Sequence, residues 1–251
     1  MAGPPVICDV GRKLNMNKSR LKNYLSILAM LNIAGLLFLI IQPINRFSYI
    51  LIEIVLIACS ISIIYILSTK RKIVICALVI FSLTLLLPFA NQSEISKSKL
   101  RERYLNNLIS YVDTEYVWGG ENSLGIDCSG LPRKSMRLAL IEYGYSNFNG
   151  RAIKMALWMT FNDASANEML NGYSGLTSNG NAVYRINDLS NDINPGDMAI
   201  TENGIHCMVY LDKAEIIQAD PGRNKVVCDG IPSEQSWYHT NVYLVRWSVL
   251  Q

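Results

Sequence analysis

Three runs of apolar residues limit what the N-terminal part of this chain can become. They read "YLSILAMLNIAGLLFLIIQ", "SYILIEIVLIACSISIIYIL" and "IVICALVIFSLTLLLPFA", each about 18 to 20 residues long. At 1.5 Å per residue, a helix of that length crosses a hydrocarbon core of about 30 Å. A helix buried in a soluble bundle keeps a polar face, whereas these runs are apolar all round. The first run is too long for a signal peptide's apolar core and lacks a small-residue cleavage site. The sequence therefore predicts three transmembrane helices within residues 23–92, preceded by a tail of residues 1–22.

Charge gives those helices a direction. Residues 1–92 carry nine Lys/Arg against two acids and the remainder fourteen against eighteen, so the net charge of +3 originates in the first part. The basic residues flank apolar runs, which indicates membrane orientation and not nucleic-acid binding. Arg12, Lys13, Lys18, Arg20 and Lys22 precede the first run, and Lys70, Arg71 and Lys72 separate the second from the third. Only Arg46 lies between the first and second. The positive-inside rule places the tail and the second loop in the cytoplasm and everything after about residue 92 across the membrane. Lys97, Lys99, Arg101 and Arg103 oppose this, but two clusters outweigh one. Glu53, near the membrane edge of the second run, is read as a snorkelling or neutralised side chain.

After the apolar runs, "SKLRERYLNNLISYV" has Leu100, Tyr104, Leu105, Leu108, Ile109 and Val112 at mostly helical spacing. "PRKSMRLALIEYGY" predicts a second helix, with Pro132 in its first turn and Gly144 as its stop. Residues 146–190 hold one or two helices and a loop, "NGYSGLTSNGN". From about residue 193 short strands follow: "DMAITEN", "HCMVYL", "EIIQAD", "KVVC" and "VYLVRW". Helices first and consecutive strands later predict an α+β domain, with helices packed on an antiparallel sheet.

The six cysteines and two histidines lack the spacing of a zinc site, and no metal or organic cofactor is expected. A Cys207–Cys228 bridge is conceivable in an oxidising compartment, as are two free thiols. Cys128 stands apart. In "DTEYVWGGENSLGIDCSGLPRKS" it falls between a glycine-rich turn and the start of a helix. There, unpaired N–H groups and the dipole are expected to lower its pKa and make it nucleophilic. A base must come from His206 or His239, and His206 opens the strand "HCMVYL", sharing a face with Met208 and Tyr210. Gln218 and Asp220 compete to orient its ring. An odd-numbered hairpin loop such as Leu211-Asp212-Lys213 keeps Gln218 on the face of His206, whereas a two-residue turn sends it to the other. His239, in a loop-like stretch, is expected to be non-catalytic.

These residues resemble the signature of the NlpC-type cysteine peptidases, papain-like enzymes that cut peptidoglycan stem peptides. The matching residues are Tyr116-Val117-Trp118-Gly119-Gly120, Asp127-Cys128-Ser129-Gly130, the turn Pro195-Gly196-Asp197, His206 and Gln218. The resemblance covers roughly residues 100–250. It implies a papain-like domain over residues 93–251, with an insertion near 146–190 because the interval from Cys128 to His206 is long. It implies that Cys128 attacks a carbonyl, His206 serves as base and then acid, and Gln218 fixes the imidazole. Tyr116 would help bind the oxyanion, and Asp127 and Ser129 would grip the free amine of the peptide. Trp118, Gly119 and Gly120 are read as packing and turn residues, and Asp197 as part of a turn. Pro132, Arg133 and Cys207 depart from the family pattern.

The implied protein is a multi-pass enzyme of the bacterial inner (cytoplasmic) membrane with its thiol on the extracytoplasmic side. Its partners would be a peptidoglycan stem peptide and the lipid bilayer, and its expected bond joins D-glutamate to a diamino acid. A membrane-delivered antibacterial toxin, a related papain-like amidase or acyltransferase, and an inactive peptide-binding module are the alternatives.

Overall fold

The computed structural model describes residues 87–188 and 193–251, with a few helical positions, Ile27, Met30, Ile54 and 56–61, before them. Apart from those positions and the 3-10 turn Leu87–Phe89 that ends the third run, the three apolar stretches lie outside the described residues. Among the described residues no helix is long and apolar enough to cross a membrane.

Four helices and eight strands follow. Helix α1 (Lys97–Ile109) buries Leu100, Tyr104 and Leu108, one residue per turn on its inner face. Helix α2 (Gly130–Ser146) begins just after Cys128 and runs past Gly144. That glycine allows close packing instead of ending the helix, since a Cβ there would lie 2.5 Å from Cδ1 of Ile153 on the next helix. Helices α3 (Gly150–Phe161) and α4 (Ala166–Leu170) complete the helical layer.

The strands β1 (Glu121–Asn122) and β2 (Gly125–Ile126) form a small hairpin just before Cys128. The main sheet has six antiparallel strands in the order β3-β8-β4-β5-β6-β7. Its members are β3 (Thr177–Arg185), β4 (Met198–Thr201), β5 (Cys207–Tyr210), β6 (Glu215–Asp220), β7 (Lys225–Gly230) and β8 (Asn241–Trp247). The last five match the expected strands. β3 does not, because part of it falls in the stretch read as a loop. Its Ser, Asn and Gly residues are poor strand formers, and pairing with β8 overrides them, with an irregularity between Asn179 and Val183. Residues 146–190 thus supply α3, α4 and an edge strand to the common core, where Ala152, Met159, Met169 and Tyr173 are buried together with Leu108, Leu131 and Trp247.

The turn before β4 is built as expected. Gly196 takes φ +93°, and Asp197 Oδ2 accepts from Asn194 N–H at 2.9 Å and from Arg246 Nε at 2.9 Å. Cys207 and Cys228 do not bridge. Strand β6 lies between their strands, and two spacings of about 4.8 Å exceed the reach of a disulfide.

Residues 88–93 are strapped to the start of α3. Asn149 Oδ1 caps that helix by accepting from Ala152 N–H at 2.9 Å, while its Nδ2 donates to Ser93 O at 3.0 Å. Gly150 N–H donates to Asn91 O at 2.7 Å. Replacing Asn149 by Ala removes cap and strap together and should cost about 2 kcal/mol. A lower denaturant midpoint at unchanged m-value is the expected measurement.

Candidate active site

The Tyr116 to Gly130 segment is organised by one carboxylate. Asp127 Oδ1 accepts from the N–H of Ser129 at 3.0 Å, the Ser129 hydroxyl at 3.0 Å and the N–H of Gly130 at 2.5 Å. Its Oδ2 accepts from Gly119 N–H at 3.0 Å. Asp127 therefore caps α2 and ties the glycine turn to it, leaving Cys128 between. Gly119 holds φ +71°, and a Cβ on Gly120 would meet the Gly125 carbonyl oxygen at 2.5 Å, so both glycines are required by the backbone. Trp118 does not pack, contrary to expectation: it is 84 % exposed at the tip of this turn.

Cys128 is 5 % exposed and its thiol donates to the carbonyl of Ile205, the residue before His206, at 3.7 Å. Burial, and then the Asp127 charge, push this thiol up to about 11. The backbone N–H groups of Cys207, Cys128 and Ser129 pull it down by less. The helix start acts in the expected direction, but desolvation outweighs it, so the thiol is protonated at neutral pH. His206 is also buried, and burial lowers its pKa; Gln218 and the charge of Asp220 only partly offset that. Both shifts favour the uncharged forms, a thiol and a neutral imidazole.

The hairpin explains how Gln218 reaches that ring. Leu211 and Glu215 pair across a three-residue loop, Asp212 to Ala214, and Val209 opposes Ile217. The loop is odd-numbered, one residue later than Leu211-Asp212-Lys213, so Gln218 stays on the face of His206 but approaches diagonally. Its Oε1 lies 2.7 Å from His206 Nε2. An amide oxygen only accepts, so Nε2 carries the proton and Nδ1 holds the free lone pair. Asp220 does not take this place: it accepts from Arg223 Nε at 2.6 Å and Gly222 N–H at 2.8 Å. Burial raises Asp220, but Arg223, Gly222 and the Trp237 side chain together hold it below the usual carboxylate range.

Tyr116 lies beside β2, its N–H donating to Asn224 O at 2.9 Å. Burial, then Cys128 and Asp127, push its hydroxyl up to about 12, so it remains a hydrogen-bond donor. His239 is at the surface, 4.0 Å from Glu234, and does not join the cluster. Among the described residues no group of three or more His, Cys, Asp or Glu is placed to hold a metal ion.

Two features escaped the sequence. Trp237 stacks on the His206 ring, with centroids 4.1 Å apart and planes 20° apart. Only its place in a short aromatic pair marked it. Arg133, read as a departure from pattern, and Arg137 are buried and lie 3.3 Å from the two oxygens of Glu121. Arg133 also pairs with Asp163 and donates through Nε to Ser129 O at 3.3 Å. Their i, i+4 spacing on the inner face of α2 was the available signal. These pairs fasten the first turns of α2 to β1 and to the loop after α3.

A thiol at a helix start, facing a strand that carries an amide-oriented histidine, defines the papain-like class of α+β domains. Residues 113–246, more than half of the chain, match the NlpC/P60 family, and the chain belongs to that family. No curated protein matches it. Among solved structures it is similar to the peptidoglycan hydrolase RipB from Mycobacterium tuberculosis, with 16 % identity and a TM-score of 0.39 over 60 % of this chain and 65 % of RipB. The P60 domain of an antigen from M. avium subspecies paratuberculosis gives 16 % identity and 0.37, over 62 % of this chain and 99 % of that one. NlpC1 from Trichomonas vaginalis gives 18 % and 0.39, over 62 % and 47 %.

Alkylation tests the protonation states. The iodoacetamide rate that disappears in Cys128→Ala should climb about tenfold per pH unit through neutral pH without a shoulder near 6 to 7. A plateau at neutral pH would mean a preformed thiolate.

Proposed function

We propose that this chain is a membrane-anchored cell-wall hydrolase that cleaves an amide bond in peptidoglycan stem peptides, between D-glutamate and a diamino acid. The observation that carries the chemistry is the buried His206, with Gln218 Oε1 at 2.7 Å from Nε2, next to the peptide bond that holds the Cys128 thiol. Family membership supports the substrate class, and the apolar runs support an anchor in the bacterial inner membrane with the domain on the extracytoplasmic side.

Cys128 gives up its proton to His206 Nδ1 as its sulfur bonds to the scissile carbonyl carbon. Because both groups rest neutral, proton transfer accompanies attack and does not precede it. The thiol must first leave the Ile205 carbonyl. The oxyanion is met by the Cys128 backbone N–H and the Tyr116 hydroxyl. As the C–N bond breaks, the imidazolium returns its proton to the departing amine and a thioester remains. Water, deprotonated by the same imidazole, then releases the acid and regenerates the thiol. Gln218 holds the ring without adding charge, so the imidazolium depends on Asp220 for electrostatic support. The Asp127 charge beside the thiol, shared with Ser129, attracts the free amine of the peptide.

Incubation with defined muropeptides and mass analysis tests this reading. Wild type should release a fragment ending at D-glutamate, Cys128→Ala none, and His206→Ala should lose roughly 10² to 10⁴-fold in rate. Cleavage that survives Cys128→Ala would remove the thiol from the mechanism.

The pH profile follows from the direction of the His206 shift. The base works when neutral, and its pKa is lowered, so the acid limb of kcat/KM should lie below the ordinary imidazole value of about 6.5. Weakening of the Gln218 contact, as in Gln218→Ala, removes a stabiliser of the protonated ring and should move that limb further down.

A further inference from the structure

The outer face of α3 carries exposed apolar and basic side chains together. Arg151, Lys154, Trp158 and Phe161 recur at three- and four-residue steps, all exposed, with Leu157 exposed beside them. This places two cations and three large apolar groups on one side of a helix that contains no acid. Phe161 is 69 % exposed, and Phe89, 76 % exposed, lies with its ring centroid 5.5 Å from Lys154 Nζ. The acids nearest the far end are already engaged: Asp163 with Arg133, and Glu168 as the acceptor of Ser165 N–H at 2.6 Å.

What covers this face is indicated by the chain that arrives at it. The third apolar run ends at residue 90, and its last residues form the turn Leu87–Phe89. A Cβ on Gly150 would lie 2.6 Å from the Pro88 carbonyl oxygen and 2.5 Å from Gln92 Nε2, so the run ends directly against the first turn of α3. Whatever solvent the run occupies begins there.

We propose that the exposed face of α3, with Phe89, docks on the lipid bilayer at the headgroup level, its aromatic groups in the acyl boundary and Arg151 and Lys154 against anionic headgroups. This rests on the membrane-anchored reading above. Aromatic side chains prefer that depth, and cations beside them are drawn to negative lipids over about a Debye length, near 8 Å at physiological salt. The domain would then lie along the membrane, with α2 packed above α3.

The full chain reconstituted into vesicles tests this. Phosphatidylcholine vesicles with and without phosphatidylglycerol are compared, each also prepared with brominated acyl chains. The fluorescence lost in Trp158→Phe isolates Trp158 from the other tryptophans. The expected result is a blue-shifted Trp158 signal, roughly halved by bromine placed near the headgroups and strengthened by phosphatidylglycerol at low salt. Phe161→Glu, a change at an exposed position, should abolish the quenching while Trp158 still folds against Tyr173. Resistance to alkaline carbonate extraction reports the anchor separately. Extraction of the chain would end the anchored reading and this proposal with it. A retained chain with solvent-exposed Trp158 would overturn docking alone. A blue-shifted but unquenched Trp158, explained by its packing on Tyr173 alone, would equally overturn the bilayer as occupant.

Discussion

The carboxylate of Asp127 is the constraint on which the position of Cys128 depends. Four donors converge on its two oxygens, from the turn before Cys128 and from the first residues of α2 after it. Without that acceptor the N–H groups of Ser129 and Gly130 at the helix start would lose their partner, and the glycine turn would lose its tie to that helix through Gly119 N–H. Arg133 and Arg137 repeat the arrangement one layer deeper, joining α2 to Glu121 of β1. The sulfur is therefore positioned by its neighbours' hydrogen bonds and not by packing alone.

The same carboxylate works against ionisation of the thiol it positions. Its charge and the loss of solvent both raise the Cys128 pKa, and the helix N–H groups do not compensate. An idle thiol that stays protonated resists oxidation, because the thiolate is the reactive species. In the proposed mechanism, substrate binding would supply what is missing: a carbonyl for the sulfur and a positive amine to balance Asp127. In the same proposed mechanism Trp237 and Asp220 would serve the moment after, with an aromatic face stacked on the ring and a nearby carboxylate favouring its cationic form.

Much of the sheet and the order of chemical residues could be read directly from the sequence. Cys128, His206 and Gln218 stand in a motif whose spacing predicts a turn, a helix and two adjacent strands, and β4 to β8 are short runs bounded by turn residues, most of them almost continuously buried. β3 was hidden because Thr177 to Asn181 has loop composition, and only β8 makes it a strand. Trp237 was hidden because a ring contact across the fold leaves no local pattern. Arg133 looked like a mismatch since a buried cation is recognisable only when Glu121 and Asp163 are seen beside it. The sign of the Cys128 shift was lost for the same reason: dipole direction follows from local order, whereas burial depends on everything packed around it.

The β5–β6 hairpin has a consequence for how such a chain can drift over time. Its loop, Asp212 to Ala214, passes through two residues with positive φ, Lys213 and Ala214, and nothing else in the described structure sets the pairing of the two strands so directly. Losing or gaining a single residue there, if β6 took up the change against its six pairings with β7, would exchange its facing sides and present Ile217 or Ala219 to the imidazole in place of an amide. Adding or removing two would preserve the side but slide the amide along the strand. The length of a surface bend is therefore coupled to a buried contact, the one between Gln218 and the imidazole.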